Sequence, residues 1–172
     1  MSQTQPVQRP GTRGYAHLVE LRVPVARVWS ALTDPRLMRI WSGKDAQIDA
    51  RKNGLYRLGA RQGNGGRDAH IDIIEENRRL RLIYMPDPGM PPTDSALVDD
   101  FLLDVRRDES MVALRLLGSG IPEVEEWDRA YTRIRTGWER YLARLKSTLE
   151  HPPRTRPTLV SMGKAPRDGE PG

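Results

Sequence analysis

The 172-residue sequence contains no cysteine. That excludes a disulfide framework, a thiol nucleophile and any cysteine-ligated zinc or iron–sulfur centre. Histidine is nearly as scarce, occurring only at positions 17, 70 and 151, so a histidine-rich metal site is not expected. No run approaches the roughly 18 consecutive apolar residues of a membrane helix, and Met1 to Gly14 lack the apolar stretch of a signal peptide. The expectation from these absences is a soluble, cytoplasmic protein with no cofactor, no metal and no membrane insertion.

What is present is charge, with 28 Lys and Arg against 23 Asp and Glu. Of the net +5, two charges lie in residues 1–14 and two more in residues 151–172. A nucleic-acid binder concentrates positive charge on a folded face, so no specific nucleic-acid binding is expected. The same end segments are poor in apolar residues. Residues 151–172 hold five prolines and three glycines, and such a segment cannot bury enough surface to offset its ordering entropy. The chain therefore divides into a disordered tail over 1–14, one domain over 15–150 and a disordered tail over 151–172.

Within the domain the hydrophobic period changes twice. His17, Val19, Leu21 and Val23 share one phase of a half-buried strand. Pro24 ends it, and Val25, Val28, Trp29 and Leu32 follow at helical spacing. Asp34-Pro35 breaks that helix, with Asp34 capping a second short one through Trp41. Alternating segments then predict strands over 46–51, 55–61, 68–75, 80–85, 97–106 and 111–117, with Asn53-Gly54 as a hairpin signal. Between the fourth and fifth of these runs, residues 86–95 form a loop with four prolines. Trp127, Tyr131, Ile134, Trp138, Leu142, Leu145 and Leu149 recur at intervals of three and four, the stripe of a long amphipathic helix over 124–149. The order is an α+β layout with helices on one face of an antiparallel sheet.

These segments resemble a known superfamily. Val23-Pro24-Val25-Ala26-Arg27-Val28-Trp29-Ser30-Ala31-Leu32-Thr33-Asp34-Pro35, followed by Leu37 and Trp41, is similar to the opening of the START-like (SRPBCC, birch-pollen-allergen-like) superfamily. The closer resemblance is to homologues of the activator of the heat-shock chaperone ATPase. It rests on Asn53-Gly54-Leu55-Tyr56-Arg57, Arg78-Arg79-Leu80, Gly118-Ser119-Gly120-Ile121-Pro122, and Gly137-Trp138 with Leu142, Leu145 and Leu149, in that order. The sequence departs from that branch at Gly118, where His is frequent. The resemblance covers about 15–150 and implies a helix-grip fold, a curved sheet of about six to seven strands gripping the C-terminal helix around an internal cavity. It carries no catalytic motif across.

Strand and helix phase then supply the side chains that would line such a cavity: His17, Tyr56, Leu58, Ile73, Leu82, Tyr84, Asp99, Phe101, Leu103, Leu114, Trp127, Tyr131 and Trp138. Most of these read equally well as ordinary core. The polar ones discriminate better. Asp99 shares the inward phase of Leu97, Phe101 and Leu103, so it is either at a strand end in water or paired. A His17–Asp99 pairing would be the nearest approach to an acid–base dyad, and Tyr84 and Tyr131 have hydroxyls to offer a ligand. The glycine run between 59 and 66 joins antiparallel strands, which is the wrong context for a phosphate cradle. Asp99, Asp100 and Asp104 do not share a face and cannot chelate together.

The expected function is a binding module for a small hydrophobic or amphipathic molecule in the cavity. The alternatives are a co-chaperone-like interaction module, with a homodimer or protein partner, and a polyketide cyclase or aromatase-like enzyme acting in the same cavity.

Overall fold

Alternation of apolar and polar residues builds most of the sheet, and a computed structural model describes it over residues 9–59 and 67–152. The strands are β1 (Thr12–Leu21), β2 (Gln47–Ile48), β3 (Leu55–Arg57), β4 (Asp68–Glu75), β5 (Arg79–Tyr84), β6 (Val98–Val105) and β7 (Val112–Pro122). They form one antiparallel sheet in the order β1-β7-β6-β5-β4-β3-β2. The first and last long strands are thus neighbours, and every other pair is a sequential hairpin connection.

Two short helices, α1 (Val25–Thr33) and α2 (Pro35–Trp41), follow β1. Asp34 separates them, and its side chain accepts from the Arg36 N–H at 2.8 Å, an N-cap that starts α2. The long helix α3 (Asp128–Glu150) is preceded by a single 3-10 turn over Glu125–Trp127. Its 23 residues span about 34 Å and lie along the inner face of the sheet. Ala130, Ile134, Trp138, Leu142, Leu145 and Leu149 make its buried stripe. The core fills the space between this stripe and the inward residues of the strands. Trp41 anchors the α1–α2 pair there, donating its indole N–H to the Ala31 carbonyl at 2.8 Å and meeting Tyr141 edge-on.

The expected α+β helix-grip architecture is what the chain adopts. The element bounds differ in ways that matter below. β1 starts at Thr12, three residues inside the segment expected as a tail, because Thr12 and Arg13 pair with Pro122 and Ile121 of β7. β7 correspondingly runs to Pro122 and does not stop at Leu117. β2 and β3 are shorter than their alternation suggests. β3 ends at Arg57, and two residues further on Gly59 lies directly on Gly43, where a Cβ would come 2.2 Å from the Gly43 carbonyl oxygen. The remaining tail expectations, at 1–8 and 153–172, lie outside the described residues.

The outer face is mixed, with exposed Leu18 and Leu117 among charged residues. Arg79–Asp100 (2.7 Å), Arg115–Asp104 (2.7 Å) and Arg57–Asp68 (2.6 Å) form cross-strand ion pairs on it. These are partly solvated and contribute little individually; strand alternation puts Asp100 and Asp104 on this face and Asp99 on the inner one. No helix among the described residues is long and apolar enough to cross a membrane.

Candidate functional site

The inward phase of β6 carries one polar residue, Asp99, which is completely buried. Three donors from three elements converge on its carboxylate. The Tyr15 hydroxyl of β1 donates to Oδ1, while the Tyr84 hydroxyl at the end of β5 donates to Oδ2 at 2.7 Å. Trp138, mid-way along α3, donates its indole N–H to Oδ2 at 3.0 Å. A buried carboxylate left without partners would be strongly unfavourable. Here sheet and helix are fastened to the same group.

Tyr15 reaches Asp99 across Gly118, which pairs with both residues in the β1–β7–β6 ladder. A Cβ on Gly118 would fall 2.1 Å from the Tyr15 ring. The glycine is therefore required by contact, not by backbone conformation. Gly118→Ala is expected to push the ring outward, break its hydrogen bond to Asp99 and lower stability by about 1–3 kcal/mol. Urea unfolding together with the near-ultraviolet signal of Tyr15 measures this; an unchanged midpoint would mean the ring is not held there.

Burial, foremost, raises the Asp99 pKa above the ordinary carboxylate range, opposed by the nearby Arg67 charge and the three donors. Burial and then the Asp99 charge push Tyr15 and Tyr84 above the usual phenol range. Both hydroxyls consequently stay protonated and act as donors. Arg67, half-buried just before β4, sets its guanidinium carbon 4.2 Å from the centre of the Tyr84 ring, a cation–π contact.

Tyr84 and Arg67 also border a pocket of about 390 Å³. Its walls are the proline loop after β5, Leu97 just before β6, and Trp127 in the turn that leads into α3. Arg133 of α3 approaches the loop from outside, with its guanidinium 3.3 Å from the Met90 sulfur. Such a volume lies within the range of small-molecule sites. A second hollow of about 410 Å³ shares Pro92, Thr93, Asp94 and Trp127 with it and opens towards Pro10 and Pro122.

The side chains expected at a cavity divide into three groups. Tyr84 and Trp127 line the pocket, and Asp99 is bound to the Tyr84 hydroxyl. Tyr56, Leu58, Leu82, Phe101, Leu103, Leu114 and Trp138 are buried in the continuous core. The Tyr56 hydroxyl donates to the Leu32 carbonyl at 3.0 Å, and Phe101 meets Trp138 edge-on. The remaining three lie elsewhere. A β-bulge between Ile71 and Ile73 shifts the phase of β4, so Ile74 takes the core position expected of Ile73. Tyr131 donates its hydroxyl to the Gly14 carbonyl at 3.0 Å, away from the pocket. His17 lies beside Tyr15, ring centres 5.6 Å apart, and its buried Nε2 has no hydrogen-bond partner among the described residues. It does not meet Asp99, whose oxygens are taken by Tyr15, Tyr84 and Trp138.

Three residues that build the site were missed in the sequence reading. Tyr15 shares the inward phase of His17 and Val19 but stood at the expected strand start. Arg67 shares the phase of the buried Ala69 and Ile71 but falls between the glycine run and the strand expected over 68–75. Gly118 was noted only as a departure from a pattern. Among the described residues no group of three His, Cys, Asp or Glu side chains is placed to hold a metal ion.

A sequence model of the family described as Activator of Hsp90 ATPase homolog 1-like protein matches residues 22–150. No curated protein matches the chain significantly. Among solved structures, protein MLL2253 from Mesorhizobium loti is 22% identical with a TM-score of 0.66, over 80% of this chain and 97% of that one. CalU16 from Micromonospora echinospora is 25% identical with a TM-score of 0.62, over 81% and 78%. PFC0360w, an HSP90 activator from Plasmodium falciparum, is 18% identical with a TM-score of 0.67, over 80% and 96%.

Proposed function

The chain belongs to the Activator of Hsp90 ATPase homolog 1-like protein family, and we propose that it is a binding module for a small, mainly apolar molecule held beneath the proline loop. The observation that carries this reading is the pocket of about 390 Å³ bounded by Tyr84, Met90, Pro91, Leu97 and Trp127. Apolar walls with a few fixed polar groups are the usual composition of such sites. The Asp99 network supplies rigidity, because Tyr84 is held by its hydroxyl and cannot turn aside when a ligand enters. The binding space is thus at the open end of the helix–sheet interface, while the middle of that interface is packed side chain. We place this activity in the cytoplasm.

The test is titration with the neutral fluorescent probe N-phenylnaphthylamine, in wild type and in Leu97→Trp. Leu97 shares the inward phase of Asp99 and lines the pocket, so the larger ring fills it. Saturable binding by wild type and at least about tenfold weaker binding by the variant, with the thermal transition retained, is the expected result. Equal binding by both proteins would place the probe elsewhere and remove the reading.

A second reading, a chaperone-interaction module, is favoured by the family match over 22–150. Its test is independent of the pocket. If this is the function, adding the protein to an Hsp90-type ATPase raises turnover, and Leu97→Trp raises it equally.

A further inference from the structure

The reading above leaves open the polar end of the ligand, and the inference drawn here rests on that reading. We propose that the ligand is a carboxylic acid with an apolar body, its carboxylate received by Arg67. Arg67 lines the pocket, and its guanidinium lies over the Tyr84 ring. Such stacking engages the face of the cation and leaves the in-plane N–H donors available for a planar acceptor. Among the described residues no carboxylate lies within ion-pair distance of Arg67. Asp99 is the nearest candidate in the fold, but its oxygens already accept from Tyr15, Tyr84 and Trp138. The guanidinium is therefore oriented by an aromatic ring, with the Asp99 charge and the Tyr15 hydroxyl nearby but no carboxylate in direct ion pairing. A ligand carboxylate satisfies that geometry with two parallel hydrogen bonds.

Two further features agree. The indole N–H of Trp127, another pocket wall, is buried and has no acceptor among the described residues. The two aspartates that also border the pocket are engaged outside it. Asp87 accepts from the Gly89 N–H at 2.8 Å, and Asp94 lies 3.6 Å from the Arg9 guanidinium. Their charge at the rim disfavours an anion there and leaves Arg67 as the position where one is held. The apolar body then lies against Met90, Pro91 and Leu97.

The experiment is displacement of N-phenylnaphthylamine by three ligands of one shape: naphthoate, naphthalenemethanol and naphthylmethylamine. In wild type, naphthoate should displace the probe about tenfold more effectively than the alcohol, as a charge-assisted pair predicts, and the amine should be weakest. Arg67→Gln should remove the preference for naphthoate, whereas Arg133→Gln, at the other cation near the loop, should keep it. An alcohol as effective as naphthoate in wild type overturns the proposal while leaving the pocket reading intact. So does a preference retained in Arg67→Gln or lost in Arg133→Gln. A probe that fails to bind at all overturns both. If Arg67→Gln does not fold, the wild-type ranking and Arg133→Gln still decide.

Discussion

Asp99→Ala is expected to lower the unfolding free energy by about 3–5 kcal/mol. Substitution removes the common acceptor of Tyr15, Tyr84 and Trp138, of which Tyr84 and Trp138 are buried and Tyr15 is part-buried. Each stranded donor loses its partner while its desolvation remains, which is why the effect exceeds that of deleting one ordinary hydrogen bond. Asp99→Asn keeps the volume but turns an NH2 group towards donors, so it recovers only part of the loss. The pH dependence has a definite sign. Because the folded pKa lies above the unfolded one, the stability linked to this group is fully present below the ordinary carboxylate range. It is lost as pH rises through the elevated folded value. Asp99→Asn does not titrate, so its urea midpoint should lack that decline. A loss below about 1 kcal/mol for Asp99→Ala would show that the three donors find other partners.

Trp138→Ala should be comparably severe, again about 3–5 kcal/mol. The indole is almost fully buried, packs edge-on against Phe101 and Tyr141, and is the one α3 side chain that reaches Asp99. The substitution therefore opens a cavity at the centre of the helix–sheet interface and removes one donor from the network. Trp138→Phe separates the two contributions. It retains most of the packing and forfeits only the N–H, so it should lose roughly 1–2 kcal/mol. Chemical denaturation of both variants checks this, and equal losses would mean that packing plays no part. Since Tyr84 is anchored to the same carboxylate, both variants should also weaken binding of an apolar probe in the pocket.

Much of the architecture was legible because it rests on local periodicity. The α3 stripe from Ile134 to Leu149 is visible in spacing alone, and Asp34-Pro35 marks the α1–α2 break through a cap that needs only its neighbours. The inward phase of β6 exposed Asp99 as anomalous before any tertiary contact was known, since a carboxylate among Leu97, Phe101 and Leu103 demands a partner. The choice between water and a partner was not legible. It depends on β1 lying beside β7, which sets Tyr15 opposite Gly118 across some hundred residues of intervening chain. Ile73 was misplaced for a similar reason: a bulge inserts one residue and reverses the phase, and nothing in the alternation of β4 signals it.

The candidate pocket belongs to the same division. Residues 86–95 are evidently a stiff loop from their prolines, yet only the fold sets them opposite Trp127 and above Tyr84. The sequence by itself determined the α+β class, the two short helices, the long helical stripe and the presence of one misfit carboxylate. Each follows from residues within a few positions of one another. The tertiary structure alone decided which donors meet that carboxylate, where the packed core ends and where Arg67 stands. Those outcomes depend on strand register and bulges, and register is set by pairings between residues far apart in the chain, where a shift of one position moves a side chain to the opposite face.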